Sequence, residues 1–422
     1  MNQRAADRHN PSWLTVVGIG EDGLDGLAPS TRVLVDDAEI LIGGDRHLAM
    51  LPEDGRERLS WPSPLRLLLD RIESMRGRQV CVLATGDPMC FGIGSTLVKR
   101  IALEEMLIIP AASALALVAA RMGWPEHEID LLTLHGRPLA LLESYLQPRA
   151  RLIILSDGPT TPGAVAARLT ERGYGQSKMS VLEHMGGPAE KRIDGTAIDW
   201  HHPPGEALNT IAVELVAGPD TATRPRLPGL PDEAFVNDGQ LTKCEVRAST
   251  LAALAPAPHA LLWDVGAGCG SVAIEWMRAD RRCPAIAIEP RAERRAMIAE
   301  NAVALGVPGL KVVDGAAPDV LLDLVAPDAI FIGGGASVDG VIETCWAALK
   351  HGGRLVANVV TLEGEAAILA HQARLGGALT RIAISRAEPV GPFQGWRPLM
   401  PVTQWCVVKP QGGATKSWSG KS

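Results

Sequence analysis

Three glycines spaced two apart, with an acid on either side, are the residues whose types and spacing best suit chemistry. They lie in Leu261-Leu-Trp-Asp-Val-Gly-Ala-Gly-Cys-Gly-Ser-Val-Ala-Ile-Glu275, which reads as a buried strand, a glycine turn and a helix start. Gly266, Gly268 and Gly270 let backbone approach a ligand closely and permit positive φ. Ala267 and Cys269 complete the turn, and Asp264 ends the strand before it. The next strand ends at Glu289, 19 residues beyond Gly270, where a carboxylate can accept both ribose hydroxyl hydrogen bonds. Ligands of such sheets sit at the carboxyl ends of the strands. The chemistry is therefore nucleoside binding. The dinucleotide fingerprint GxGxxG would need glycine at Ser271, while Glu289 fits either cofactor class. Asp314-Gly315-Ala316-Ala317 follows the third strand, and Asp328–Gly335 supplies the fourth strand with its loop.

A second group of loops lies earlier in the chain. Gly18 and Gly20 stand in Val17-Gly-Ile-Gly-Glu-Asp-Gly23, and Gly86-Asp87-Pro88 opens the glycine-rich stretch that runs to Gly94. Ile109-Pro-Ala-Ala-Ser113 and Leu134-His-Gly-Arg137 follow, holding Ala112, Ser113, His135 and Gly136. Glycine-rich loops at strand ends suit close backbone contact with a ligand. Between the two groups lies Asp238-Gly-Gln-Leu-Thr-Lys-Cys-Glu-Val-Arg247. Arg247 and Lys243 are of the type that binds carboxylates, Arg by a bidentate fork, and Glu245 is of the type that moves a proton. A rival reading keeps the same residues as a helix start, with Thr242 as N-cap and Glu245 closing a capping box. No His, Cys or Asp cluster has metal-ligand spacing, so no metal site is expected.

These loops need strands to hold them. Leu14–Ile19, Ile40–Gly43, Val80–Ala84, Met106–Ile109, Leu152–Leu155, Met179–Leu182 and Thr210–Val216 read as strands, alternating with helical patterns. Later strands are Leu261–Val265, Ala285–Glu289, Leu310–Val313, Ala329–Ile332 and Arg354–Val360, with helices between them. Two late runs, Leu379–Ala387 and Val402–Val408, have no helix between them and are expected to pair antiparallel. Both halves read as α/β with mainly parallel sheets. Residues 217–231, AGPDTATRPRLPGLP, read as a Pro-rich linker between domains 11–216 and 232–410. The ends, 1–10 and about 411–422, are polar and expected to fray.

Composition bounds the classes. A chain of 422 residues suits two domains, and 46% apolar with 21% charged residues argues against disorder. The net charge of −7, without a Lys/Arg cluster, speaks against a nucleic-acid partner. With no long apolar run and no apolar leader, a membrane partner is not expected either. Seven cysteines form no CxxC and read as reduced thiols, placing the protein in the cytoplasm.

The Gly266–Gly270 loop after an acid resembles the first motif of class I methyltransferases that use S-adenosylmethionine (SAM). The early loops resemble the tetrapyrrole (class III) methyltransferases of corrin synthesis, with Asp87 at the most recognisable position. That family usually opens on GxGPG, where this chain has Gly-Ile-Gly-Glu-Asp-Gly. Together with the 238–247 signature and Gly395-Trp-Arg-Pro398, the two halves resemble decarboxylating precorrin methyltransferases of aerobic cobalamin synthesis, over roughly residues 12–410. The resemblance implies a tetrapyrrole methylase of two α/β subdomains. A Rossmann-like class I methyltransferase with an antiparallel last strand would follow it. It implies two SAM sites per chain: one at Gly18, Gly20, Gly86, Asp87, Ala112, Ser113, His135 and Gly136, and one at Thr242, Asp264, Gly266–Gly270, Glu289 and Gly315–Ala317. The substrate would be a metal-free precorrin-6, methylated at C-5 by the first half. The second half would methylate C-15 and decarboxylate the C-12 acetate, giving precorrin-8, with Lys243, Glu245 and Arg247 as candidate catalytic residues. Relatives of this kind form homo-oligomers. The alternatives are a SAM methyltransferase for another small molecule or tRNA with an inactive tetrapyrrole-binding front half, and a nicotinamide oxidoreductase.

Overall fold

The computed structural model describes residues 12–411; of the ends expected to fray, at 1–10 and about 411–422, all but Gln411 lie outside them. The chain divides into two compact units. One takes the chain up to Leu139 with Gln147–Ala222, and the other takes Ala140–Leu146 with everything from Thr223 on.

The first unit holds two sheets. Strands β1 (Leu14–Ile19), β2 (Ile40–Gly43), β3 (Glu57–Ser60), β4 (Val80–Thr85) and β5 (Met106–Ile109) form an all-parallel sheet in the order β3-β2-β4-β1-β5. β1 and β2 are buried along their whole length, as continuous apolar runs require of central parallel strands. The second sheet joins β6 (Ile129–Thr133), β7 (Arg151–Leu155), β8 (Lys178–Glu183), β9 (Lys191–Thr196) and β10 (Asn209–Glu214) in the order β6-β7-β10-β8-β9. Here the expectation of a mainly parallel sheet fails. Only β6 and β7 run parallel; β10 pairs antiparallel with β7 and β8, and β8 with β9. A short helix-free link returns β9 antiparallel against β8, and the longer stretch from β9 to β10 carries the chain past β8 so that β10 also lies antiparallel to it.

The second unit is a seven-stranded sheet. β11 (Leu262–Val265), β12 (Ala285–Glu289), β13 (Lys311–Asp314), β14 (Ala329–Ile332) and β15 (Arg354–Val359) run parallel; β16 (Ala378–Ile382) and β19 (Val402–Val408) complete the order β13-β12-β11-β14-β15-β19-β16. β19 lies antiparallel between β15 and β16. The run expected as one strand over Leu379–Ala387 breaks in two. β16 joins the sheet, while β17 (Ser385–Val390) pairs with β18 (Phe393–Pro398) in a separate hairpin. Two apolar clusters, one on each face, enclose this sheet, with Trp276 in one and Trp263 and Trp405 in the other. No helix among the described residues is long and apolar enough to cross a membrane.

Candidate cofactor and substrate sites

In the second unit, the turn after β11 has the predicted backbone: Gly266, Gly268 and Gly270 take φ of 69°, 60° and 80°. At Gly266 a side chain is excluded twice over, since its Cβ would lie 2.9 Å from the Gly334 backbone. Gly266 and Ala267 both donate to the Ile288 carbonyl at 3.1 Å, which ties the turn to the neighbouring strand. Glu289, 2% exposed, accepts from the Gly268 amide at 2.9 Å and the Arg291 amide at 3.1 Å. A carboxylate has about four lone-pair positions, so acceptors remain for two hydroxyls.

A cavity of about 900 Å³ opens over this turn. Gly266, Ala267, Gly268 and Cys269 line it, as do Glu289 and Gly315–Ala317. Thr242 and Lys243 line it from the start of the helix Cys244–Leu254. Arg294 lashes the Asp238–Gln240 loop over the wall, donating to Asp238 Oδ2 at 2.8 Å and Gln240 Oε1 at 2.7 Å. A glycine floor with a carboxylate at its edge fits the nucleoside of SAM, and the volume suits a ligand of that size.

Five sequence expectations change here. Asp264 does not line the cavity: it is 1% exposed and accepts from the Ala273 amide at 3.0 Å, holding the following helix. Burial, then the nearby Glu289 charge, pushes its carboxyl up to about 7, and Oδ1 has no partner. Gly270 is also withdrawn, starting the helix Ser271–Ala279 with its Cα face against Ile298. Arg247 is not free to bind substrate. Its side chain is fully buried and donates to Glu275 Oε1 at 2.7 Å, to Asp232 Oδ1 at 3.3 Å, and to the Thr242 and Leu230 carbonyls. Glu245 faces Arg386 at 2.7 Å, and that guanidinium holds its carboxyl down to about 2, too acidic to deliver a proton at neutral pH. Thr242 does not cap the helix; Lys243 occupies that position without a side-chain cap.

On the cavity's other side the sequence pointed to the loop that ends at Gly335 and to nothing beyond it. From Phe331 onward its lining is Gly333–Gly335 and the apolar Val338, Val341, Val360, Ile384, Leu399, Met400 and Val402, with one polar side chain, Asn358. A half-buried Asn at the end of the apolar strand Arg-Leu-Val-Ala-Asn-Val was the available signal.

In the first unit, the strand ends of β4, β1 and β5 bring Gly18, Gly86, Ala112 and Ser113 together. A Cβ on Gly18 would meet the Gly86 carbonyl at 2.0 Å and the Ala111 amide at 2.4 Å, so glycine is required there. Gly86, at φ 58°, faces the Ala112 carbonyl. Asp87 accepts from the Met89 amide at 2.8 Å, and Ser113 caps its helix by accepting from Ala116 at 3.1 Å. Gly20 sits against Asp22 at the turn that follows. His135 and Gly136 come from the end of β6, in the other sheet; Gly136 donates to Asp157 at 2.7 Å, and the His135 side chain is 80% exposed. The neighbouring Arg137 stacks over Phe91 of the Asp87 loop at 5.7 Å. Glu21, missed in the sequence, also joins the two sheets, pairing with His184 at 2.7 Å and with Arg46.

Comparison with known proteins agrees with this two-part construction. Residues 14–199 match the model of tetrapyrrole (corrin/porphyrin) methylases, and 233–409 match that of a precorrin methyltransferase domain. A precorrin-6Y C(5,15)-methyltransferase [decarboxylating] of Sinorhizobium sp is 48% identical over 94% of this chain and 96% of its own. One from Mycobacterium tuberculosis (strain CDC 1551 / Oshkosh) is 44% identical over 94% of this chain and all of its own. The crystal structure of the C-terminal domain of the Rhodobacter capsulatus precorrin-6Y C5,15-methyltransferase is 46% identical over 44% of this chain and all of that one, with a TM-score of 0.42. By identity, coverage and the order of its two methylase halves, the chain belongs to the precorrin-6Y C(5,15)-methyltransferase (decarboxylating) family of SAM-dependent enzymes.

Proposed function

We propose that this chain methylates a precorrin-6 macrocycle at C-5 and C-15 and decarboxylates its C-12 acetate, giving precorrin-8, with one SAM site in each unit. The supporting observation is the cavity of about 900 Å³ whose glycine floor and Glu289 wall continue into an apolar wall. That is room for a nucleoside beside a face suited to a conjugated ring. When bound, SAM supplies an electrophilic methyl on a sulfonium centre.

The chain's own residues do the rest by positioning, which accounts for much of the rate of a transfer between two bound reactants. Glu289 takes the ribose hydroxyls, the Gly266–Cys269 backbone supports the amino acid part, and Gly315–Ala317 hold the adenine. Val246, Phe331, Val338 and Val360 keep water from the reacting carbon. Lys243, 38% exposed at the cavity wall, draws the substrate's carboxylates without being buried by them. In the first unit, Gly18, Gly86 and Asp87 hold the second cofactor at the β1, β4 and β5 ends and C-5 is methylated there. The chain works in the cytoplasm as a homo-oligomer. The exposed Val390, Phe393 and Trp396 of the β17–β18 hairpin support the last point as an apolar surface.

Calorimetric titration of the full chain with S-adenosylhomocysteine tests the reading. Two sites per chain are expected, one lost in Asp87→Ala and the other weakened in Glu289→Gln. A single site that Asp87→Ala leaves intact would make the first unit a binding module. Absence of any site, with binding of NADH, would overturn the reading altogether.

A further inference from the structure

The strand register places four residues in one row across the carboxyl edge of the second unit's sheet. Val265 pairs with Ile288 on one side and Ile332 on the other, and Ile332 pairs with Ala357. The next residue on each strand therefore aligns as Glu289, Gly266, Gly333, Asn358. Two side chains flank two glycines, and the row spans three strand spacings, roughly 14 Å from Glu289 to Asn358. Glu289 stands at the nucleoside end. Asn358 stands at the opposite end, where the remaining wall is apolar.

The orientation of the Asn358 amide is fixed by a saturated hydroxyl. Thr250, fully buried, gives its one proton to the Val246 carbonyl at 2.8 Å. Both of its acceptor positions are then taken, by Asn358 Nδ2 at 2.8 Å and Gln404 Nε2 at 3.2 Å. Only a donor can face Thr250, so Asn358 turns its nitrogen there. Gln404, its cross-strand partner on β19, donates to Asn358 Oδ1 at 3.0 Å. One N–H and one oxygen lone pair of Asn358 are left for the cavity. Three polar side chains in an apolar helix–sheet junction are costly unless fully paired. What this triad does is hold one amide still.

Resting on the function proposed above, we infer that Asn358 is the substrate-contacting residue of the decarboxylation, its free N–H donating to the acetate carboxylate that leaves as carbon dioxide. In that step the methylene–carboxylate bond breaks and carbon dioxide departs. The electron pair is delocalised into the conjugated ring and returns to the methylene carbon as that carbon takes a proton from water, giving methyl and leaving hydroxide. A neutral donor orients the carboxylate but stabilises its charge less than Lys or Arg would. The charge can therefore be lost at smaller cost, in a wall that supplies no cation.

The test uses the full chain, SAM and precorrin-6, reading released carbon dioxide and product mass, with S-adenosylhomocysteine affinity alongside. Asn358→Ala is expected to lower kcat/KM for carbon dioxide release by about 10–100-fold, the range for one hydrogen bond to a charged group. Asn358→Asp, nearly isosteric, still an acceptor for Gln404 and able to accept from Thr250 once that hydroxyl turns its proton away from the Val246 carbonyl, is expected to lower it further, because a carboxylate now faces a carboxylate. Affinity for S-adenosylhomocysteine should stay within about twofold in both, which also reports folding. Should Asn358→Ala unfold, Asn358→Asp alone still decides. Carbon dioxide release by Asn358→Asp at or above the level of Asn358→Ala, or at the wild-type level, would overturn the assignment while leaving the enzyme's function standing. No turnover by the wild-type chain would instead overturn the function and the inference with it.

Discussion

Replacing Arg247 separates a buried strut from a substrate-binding cation. The side chain is fully buried, and its guanidinium donates to Glu275, Asp232 and two carbonyls. Glu275 is itself 1% exposed and accepts from the Gly229 and Leu230 amides at 2.7 and 2.9 Å, so this ion pair fastens the end of the Pro-rich segment to the helix Ser271–Ala279. Arg247→Ala takes away the guanidinium paired with the buried Glu275 carboxylate, and breaking a buried pair in this way costs about 3–5 kcal/mol. For a unit of this size each kcal/mol moves the midpoint by about 2–4 °C, so the second unit's melting transition should fall by roughly 6–20 °C. Differential scanning calorimetry of the full chain reads this directly. Arg247→Met with Glu275→Gln should recover much of the loss, since no bare charge remains. A melting transition within about 2 °C of wild type for Arg247→Ala, with turnover lost, would refute the strut and return Arg247 to the substrate.

Glu245→Gln should behave differently: its pair with Arg386 is 38% and 34% exposed, worth about 1 kcal/mol or less, so both melting and carbon dioxide release should stay near wild type. Gly266→Ala, by contrast, pays for a left-handed φ of 69° and a Cβ 2.9 Å from Gly334. The conformational part alone is about 1–2 kcal/mol, so the second unit's melting transition should fall by at least roughly 2–8 °C by calorimetry. Asp264→Asn tests the buried carboxyl through pH. Because its folded value lies near 7, above the usual 3.8, the folded chain holds a proton that the unfolded chain releases. Its contribution to stability is therefore present at low pH and is lost as pH rises from about 4 to 7. The melting difference, Asn variant minus wild type, should grow across that window and level off above it. A flat difference would refute the shift.

How much of this was legible in the sequence follows from where the signals are local. Central strands such as β1, β2, β12 and β14 were bounded within a residue, because burial on both faces writes a continuous apolar run. The strands not foreseen, β3, β6, β9 and β18, lie at sheet edges or in the separate hairpin. Glu57–Ser60 and Lys191–Thr196 are half exposed and carry charge, so they leave no apolar period to read. The antiparallel turn of the second sheet was equally hidden. It depends on which strand neighbours which, and nothing in Thr210–Val216 states that β10 inserts between β7 and β8.

The functional residues divide along the same line. Glycines betray themselves, because a turn at positive φ and a close backbone approach leave little choice of residue, and Gly18, Gly86 and Gly266 all stand at such points. Charged residues do not. Lys243, Glu245 and Arg247 share one short signature, yet the first faces the cavity, the second a half-buried arginine and the third a buried carboxylate. Three successive odd positions at the mouth of a helix fan out around it by about 200° a step, so spacing alone cannot keep them on one surface. Asn358 shows the converse. It carries no charge and no motif, and its place opposite Glu289 exists only through the pairing of β12, β11, β14 and β15. Residue type announces what a side chain can do; the register of the sheet decides which side chains meet the same ligand.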